Sequence, residues 1–144
     1  MSNPNRASSP ARIQYAALPF RRRESAGTEV LLVTSRRTGR WIIPKGWPIK
    51  RKPPHAAAAQ EALEEAGVVG EVRRRPIGSY QYEKRLKTGQ AIVCKVQVFP
   101  LEVKQQEKTW PEKGKRQVKW FSPEDAASRV DDGVLRDLIR KLPS

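Results

Sequence analysis

Cysteine, histidine, acidic residues and long apolar runs are scarce in this chain, and each shortage excludes something. The 144 residues include one cysteine and one histidine. A single thiol cannot close an internal disulfide, which fits a reducing compartment, and the cytoplasm is the expected location. Cys94 lies in Ala91-Ile-Val-Cys-Lys-Val-Gln-Val-Phe99, where Ile92, Cys94, Val96 and Val98 share one strand face. It reads as a buried structural thiol and not as a nucleophile. His55, at the start of an expected helix, reads as a local structural or solvent-facing residue and not as a catalytic base. No apolar run is long enough to cross a bilayer. No basic stretch followed by an apolar one opens the chain, so neither a membrane span nor a secretory signal is expected. Hydrophobic residues are only 38% of the chain, but they fall into clear runs, so a folded domain is expected and not disorder.

Acidic side chains are outnumbered, 15 Asp and Glu against 29 Lys and Arg, for a formal charge of +14. Such an excess attracts polyanions. Basic clusters occur at Arg21 to Arg23, Arg36-Arg37 with Arg40, Lys50 to Lys52, Arg73 to Arg75, Lys84-Arg85 with Lys87, and Lys113 to Arg116. Most of these side chains solvate loops, and a minority is expected to meet a ligand.

Against that background, Glu61, Glu64 and Glu65 stand out. At helical spacing they occupy i, i+3 and i+4 on one face, where like charges repel by a few tenths of a kcal/mol per pair. No Lys or Arg lies three or four residues from any of them. A concentrated carboxylate face in a basic protein calls for a cation from elsewhere. Hard divalent ions such as Mg²⁺ bind carboxylate oxygens and bridge them to phosphates.

The surroundings suggest a built site. The strand-like run Trp41-Ile-Ile-Pro44 leads into Lys45-Gly46, a Pro-rich loop follows, and an Ala-rich helix runs from about His55 to Ala66. Gly67 stands where a helix C-cap glycine belongs. Ala58, Ala59, Ala62, Leu63 and Ala66 are expected to pack inward while the glutamates point away. Elsewhere, residues 1–10 read as a loose tail and 11–144 as a single domain. Strands are expected at 13–20, 29–34, 68–82 (one or two), 91–103 and 117–121, with Gly27 in the first turn. A charged loop is expected at 104–115. Ser122-Pro-Glu-Asp125 has the form of a capping box opening a short helix. Val134, Leu135, Leu138, Ile139 and Leu142 mark one face of a last helix. Mixed strands with two or three helices predict an α+β fold with a sheet between helical layers.

Residues Gly46 to Val68 resemble the Nudix box, G-x5-E-x7-R-E-U-x-E-E-x-G-U, with U a bulky aliphatic residue. Gly46, Glu61, Glu64, Glu65, Gly67 and Val68 match it. Lys52 replaces its first Glu, Gln60 replaces its Arg, and Ala62 is smaller than the usual aliphatic residue. Three further segments are similar to the diphosphoinositol polyphosphate and diadenosine polyphosphate phosphohydrolase branch. They are Glu29-Val-Leu-Leu-Val-Thr-Ser35, Arg40-Trp-Ile-Ile-Pro-Lys-Gly46 and Lys119-Trp-Phe-Ser-Pro-Glu-Asp-Ala126. The resemblance covers roughly residues 12 to 130.

The resemblance implies an α/β/α sandwich with a mixed sheet and a metal-dependent pyrophosphohydrolase. Mg²⁺, with Mn²⁺ as a substitute, would be held by Glu61, Glu64, Glu65 and the backbone carbonyl of Gly46 or Lys45. Glu65 is the first choice of base, with Glu64 beside it, and Glu112 or Glu107 is the candidate distant acid. Arg36, Arg40, Lys45, Lys84, Arg85 and Arg116 flank the metal site in the family fold, and their charge suits phosphate oxygens. The expected partner is a polyanionic small molecule, of the dinucleoside polyphosphate or inositol pyrophosphate type. A monomer is the default. Two alternatives stay open. One is trimming of pyrophosphate from RNA 5′ ends, although the chain lacks the aromatic–basic interleaving of single-strand binders. The other is a Nudix fold that binds nucleotides or nucleic acid without hydrolysis, motivated by Lys52 and Gln60.

Losing both members of the Glu/Arg pair removes an ion pair without stranding a charge, which is tolerated better than losing one. Wild type is therefore expected to hydrolyse a polyphosphate, and the double change Lys52→Glu with Gln60→Arg to leave its Mg²⁺ dependence in place. Hydrolysis by the double variant alone, measured as phosphate release, would show instead that the two substitutions silence the site.

Overall fold

The computed structural model describes residues 11–142. The tail expected at 1–10 lies outside the described residues. Eight strands form one mixed sheet: β1 (Arg12–Arg23), β2 (Gly27–Thr34), β3 (Trp41–Ile42), β4 (Lys45–Gly46), β5 (Val68–Val72), β6 (Gly78–Arg85), β7 (Ala91–Gln106) and β8 (Val118–Phe121). Three helices cover it: α1 (Pro54–Ala66), α2 (Pro123–Arg129) and α3 (Gly133–Arg140). The central path runs β3-β2-β1-β7-β5, with β4 beside β1, β6 beside β7 and β8 beside β2. β1 and β7 are parallel, and the other pairs are antiparallel.

Strand β1 does not alternate. Ala16 to Phe20 are all buried, because helices lie on both faces of the sheet and a central strand has no solvent side. One face carries Ala17, Leu31, Val33, Phe99 and Leu101 against Ala58, Ala62 and Ala66 of α1. The other carries Leu18, Phe20, Val30, Leu32, Val96 and Val98 against Ala126, Ala127, Leu135, Leu138 and Ile139 of α2 and α3. This is an α/β/α sandwich, as the sequence predicts.

Proline in the middle of β7 is accommodated by a change of neighbour. β6 pairs with β7 up to Gly78 opposite Val98, and β5 takes over at Val72 opposite Leu101. The Pro100 carbonyl accepts from Arg73 N at 2.9 Å on that side. Its missing N–H thus faces the gap between the two edge strands, where no ladder bond is lost.

Helix α1 starts with Pro54 at its first turn, where a missing N–H costs nothing, and ends at Gly67, with φ 72°. The Gly67 amide returns to the Leu63 carbonyl at 3.0 Å. A methyl group on Gly67 would fall 2.3 Å from the Trp110 indole, so both backbone angle and space demand glycine. Ser122 Oγ accepts from Asp125 N at 3.2 Å and opens α2. Asp132 caps α3 by accepting from the amides of Val134 and Leu135 at 2.9 and 3.0 Å.

Several expectations shift. β7 continues to Gln106, three residues past the expected end, while the 68–82 region splits into β5 and β6. The expected strand at Trp41 to Pro44 becomes two short pairings, β3 on β2 and β4 on β1. Leu63 is exposed and Glu65 is buried, the reverse of the helical face expected for them. The α1 stripe that meets the sheet is narrow and built on Ala57, Ala58, Ala62 and Ala66, so it is turned by about one position. Val134 is half exposed, in the first turn of α3.

Phe99→Ala should cost about 3–5 kcal/mol, since it empties a fully buried ring site under α1. Val134→Ala should stay within about 0.5 kcal/mol. Urea unfolding of both variants checks the contrast.

Candidate functional site

The site forms where α1 meets the short strand β4 and the loop before β8. Strand β4 is fixed by its pairing to Tyr15 and Ala16 of β1 and by the Ala17 N to Pro44 O bond at 3.0 Å. This brings Gly46 against Glu61. A Cβ on Gly46 would lie 2.4 Å from Glu61 Cδ and 2.6 and 2.7 Å from its two oxygens. The Glu61 carboxylate therefore rests on the Gly46 backbone, and a side chain at Gly46 would displace it.

The three glutamates differ in their surroundings. Burial raises the Glu61 carboxyl to about 8, and the charges of Glu65 and Glu64 push in the same direction. Burial raises Glu65 to about 7, against the pull of Arg116. Glu64 is half-buried and receives Gln60 Nε2 at 3.4 Å. Thus Gln60, at the box position of the Arg, spans one helical turn to a box glutamate, while Lys52 is exposed. Glu65 is 4% exposed. Its Oε2 lies 3.8 Å from Arg116 Nη2, and its Oε1 is buried without a hydrogen-bond partner.

A buried carboxylate oxygen with no donor, beside a second carboxylate forced towards its neutral form, is a place that favours a cation. The donor set is hard oxygen, which suits Mg²⁺. Among the described residues no three His, Cys, Asp or Glu side chains close a ready-made cage. That is compatible with Mg²⁺, which keeps several waters and borrows oxygens from substrate phosphates.

The loop between β7 and β8 is tied down on α1. Glu107 N donates to Gly67 O at 2.7 Å and Glu112 N to Glu64 O at 3.0 Å, satisfying carbonyls at the helix end. Arg116 Nε reaches Glu112 Oε1 at 3.0 Å and Nη1 reaches Thr34 O at 3.1 Å. The Glu107 carboxylate faces the Gln105 amide at 3.4 Å. Neither Glu107 nor Glu112 lines the cavity described next.

A cavity of about 690 Å³ opens beside Glu65. All six residues expected to flank the site, Arg36, Arg40, Lys45, Lys84, Arg85 and Arg116, line it, and so does Arg37. Glu61 and Glu64 do not line it; Glu65 is the box glutamate that does. Burial lowers the Lys45 ammonium to about 8, partly offset by Glu65. Its Nζ lies 5.0 Å from the centre of the Tyr82 ring. Tyr82 donates its hydroxyl to Gln14 Oε1 at 2.7 Å, and burial raises both Tyr82 and Tyr80. Sequence reasoning missed Gln14, Tyr80, Tyr82 and Trp41. Their strand positions resemble core positions, and only the alignment of β1 with β6 across β7 brings Gln14 and Tyr82 together.

A NUDIX domain model matches residues 12–142. The chain belongs to the Nudix family. It is 33% identical over 126 residues to Nudix hydrolase 21, chloroplastic, of Arabidopsis thaliana, covering 85% of this chain and 61% of that protein. It is 36% identical over 101 residues to diphosphoinositol polyphosphate phosphohydrolase 3-alpha of Mus musculus, covering 68% of this chain and 57% of that protein. The chain thus spans less than two thirds of the length of either relative. A C. elegans Ap4A hydrolase shares the fold, with a TM-score of 0.62 at 21% identity, covering 92% of this chain and 96% of that one. No helix of this Nudix domain, among the described residues, is long and apolar enough to cross a membrane.

The glutamate pair gives the metal-free domain a defined pH dependence. Both carboxyls rise above their ordinary 4.5 on folding, so the fold binds their protons more tightly than the unfolded chain does. That contribution is complete below about 4.5 and is lost as pH rises through about 7 and 8. In chelator, Tm should fall between pH 5.5 and 8.5, and Mg²⁺ at the upper end should restore it. Glu61→Gln should flatten the slope. A Tm that ignores pH across this window contradicts the assignment.

Proposed function

We propose that this Nudix domain is a metal-dependent pyrophosphohydrolase that cleaves a phosphoanhydride bond in a small polyphosphorylated molecule. The observation that carries this reading is the meeting of two opposite features. A buried acidic centre with an unpartnered oxygen, Glu65 Oε1, opens into a cavity lined by cationic side chains. A divalent cation held by Glu61, Glu64, Glu65 and the carbonyl of Gly46 or Lys45 would screen the phosphate charge and lower the pKa of a bound water.

The chain's own residues supply the rest. Arg36, Arg40, Lys84 and Arg85 bind the remote phosphates, and the buried Lys45 feels the charge of Glu65. Glu65 Oε1 takes a proton from the attacking water. The water oxygen bonds to phosphorus, the bridging P–O bond breaks, and the released phosphate leaves with that bond's electrons. Glu64 supports Glu65 as a ligand or second base. Positioning and charge neutralisation account for most of phosphoryl-transfer catalysis, so a rim rich in Arg and Lys is chemically apt.

Inositol pyrophosphates and dinucleoside polyphosphates are the substrates we favour. The mouse relative's name and the nematode enzyme's activity support the choice. RNA 5′ ends remain the second reading, on charge alone. The cytoplasm remains the proposed compartment on the evidence of the single buried thiol, beside relatives designated chloroplastic or mitochondrial.

A panel of diadenosine polyphosphates, inositol pyrophosphates and 5′-triphosphate RNA, assayed with Mg²⁺ and with chelator, tests the proposal. One of the first two classes should release phosphate in Mg²⁺ and none in chelator. Glu64→Gln with Glu65→Gln should lower turnover by at least about 10²-fold with the fold intact. Arg40→Ala should raise KM more than it lowers kcat. Full activity of the double variant, or in chelator, would overturn the reading.

A further inference from the structure

Arg116 differs from the other cations of the cavity. Arg36, Arg37, Arg40 and Arg85 are exposed; Arg85 donates Nη1 to Gly89 O at 2.9 Å and Arg40 Nε lies 3.8 Å from Asp131 Oδ2. The Arg116 side chain is 13% exposed and engaged in three directions. Nε donates to Glu112 Oε1 at 3.0 Å, Nη1 donates to Thr34 O at 3.1 Å, and Nη2 faces Glu65 Oε2 at 3.8 Å. The anchors are themselves anchored. Thr34 and Gln117 exchange bonds, Thr34 N to Gln117 O at 3.1 Å and Gln117 N to Thr34 Oγ1 at 2.9 Å. Glu112 N is bonded to Glu64 O. The guanidinium is thus braced between the end of β2 and the end of α1. A planar fork with five donors suits such bracing, and a flexible ammonium does not.

The box position of the Arg holds Gln60, which carries no charge and reaches only Glu64. Among the described residues, the ion pair made with a box glutamate is that of Arg116 with Glu65. Its geometry treats the two oxygens of Glu65 differently. Oε2 faces Arg116, and Oε1 accepts from no N–H or hydroxyl donor; the neighbour within hydrogen-bonding reach of the Glu65 carboxyl is the Glu61 carboxyl. At 3.8 Å the contact is an ion pair without a direct hydrogen bond, so Glu65 is oriented and still free to shift by a fraction of an ångström.

We infer that Arg116, braced by Glu112, is the positioning arginine of the acidic centre, orienting Glu65 through Oε2 so that Oε1 faces the reaction. This rests on the proposed hydrolase reading. It gives Glu112 a bracing role in place of that of a distant acid. It also separates Arg116 from the residues that hold remote phosphates.

Two measurements test it, one of which needs no turnover. In chelator at pH 8.5, a double-mutant cycle of Arg116→Gln and Glu65→Gln is followed by thermal melting. Arg116→Gln should lower Tm in the wild-type background and lower it clearly less in the Glu65→Gln background. Additive shifts would overturn the inference, whatever the fate of the hydrolase reading. In Mg²⁺, on a substrate that wild type cleaves, Arg116→Gln should lower kcat about 30-fold with KM changed less than about twofold. Arg116→Lys should not restore it. A raised KM with kcat kept would make Arg116 a phosphate binder and overturn the inference. If Arg116→Gln does not fold, Glu112→Ala, which removes the acceptor of Nε alone, decides in its place. A fall in kcat at constant KM supports the brace, and unchanged kcat overturns it. Absence of hydrolysis by wild type would sink the hydrolase reading while the melting cycle still decides on the ion pair.

Discussion

The burial of Glu65, on the helix face it shares with Glu61 and Glu64, is the constraint on which the rest of the structure depends. The helix places them on one face, and the sandwich then buries the last of them almost completely. A buried carboxylate without full compensation costs several kcal/mol in an ordinary core. The fold meets that cost in part only. Arg116 attends to one oxygen of Glu65, Gln60 to one of Glu64, and the Gly46 backbone makes room for Glu61. The residual imbalance appears as carboxyls raised towards neutrality. A cation resolves it, which is why the acidic centre and the basic cavity belong to one account.

The surrounding architecture serves the placement of this centre. Small alanines let α1 approach the sheet closely, and that closeness draws Glu65 below the surface. Gly67 and the Trp110 indole that covers it fix where the helix stops. The loop that follows β7 then returns to the same helix end through two backbone bonds, carrying Glu112 and Arg116 with it. The second helical layer has a different task. Asp132 and Leu135 of the α2–α3 junction wall the far side of the cavity, while Leu138 and Ile139 secure that layer to the sheet.

Much of this was legible in the sequence because it rests on local rules. The spacing of the glutamates, Gly67 after the helix and Ser122 before the next one depend on neighbours within four residues. The six cations expected around the site share one cavity because the segments that carry them are short and lie close to the box in the fold. What was hidden depends on tertiary placement. Nothing in Leu63 or Glu65 says which of the two the fold will bury, and a turn of about one position about the helix axis changes the outcome. Val134 belongs to the apolar stripe by spacing and leaves the core because α3 begins there. The contact of Gln14 with Tyr82 spans 68 residues. The several bonds of Arg116 depend on a loop whose composition reads only as charged and turn-rich.

The central claim is that the acidic centre binds a divalent cation. Paramagnetic broadening of backbone amide resonances during a Mn²⁺ titration tests it most directly, because it needs no substrate. The account predicts saturable broadening that begins at Gly46, Glu61, Glu64 and Glu65, and that excess Mg²⁺ reverses. Broadening that begins instead at Asp131 and Asp132, or that is diffuse and unsaturable, would contradict it.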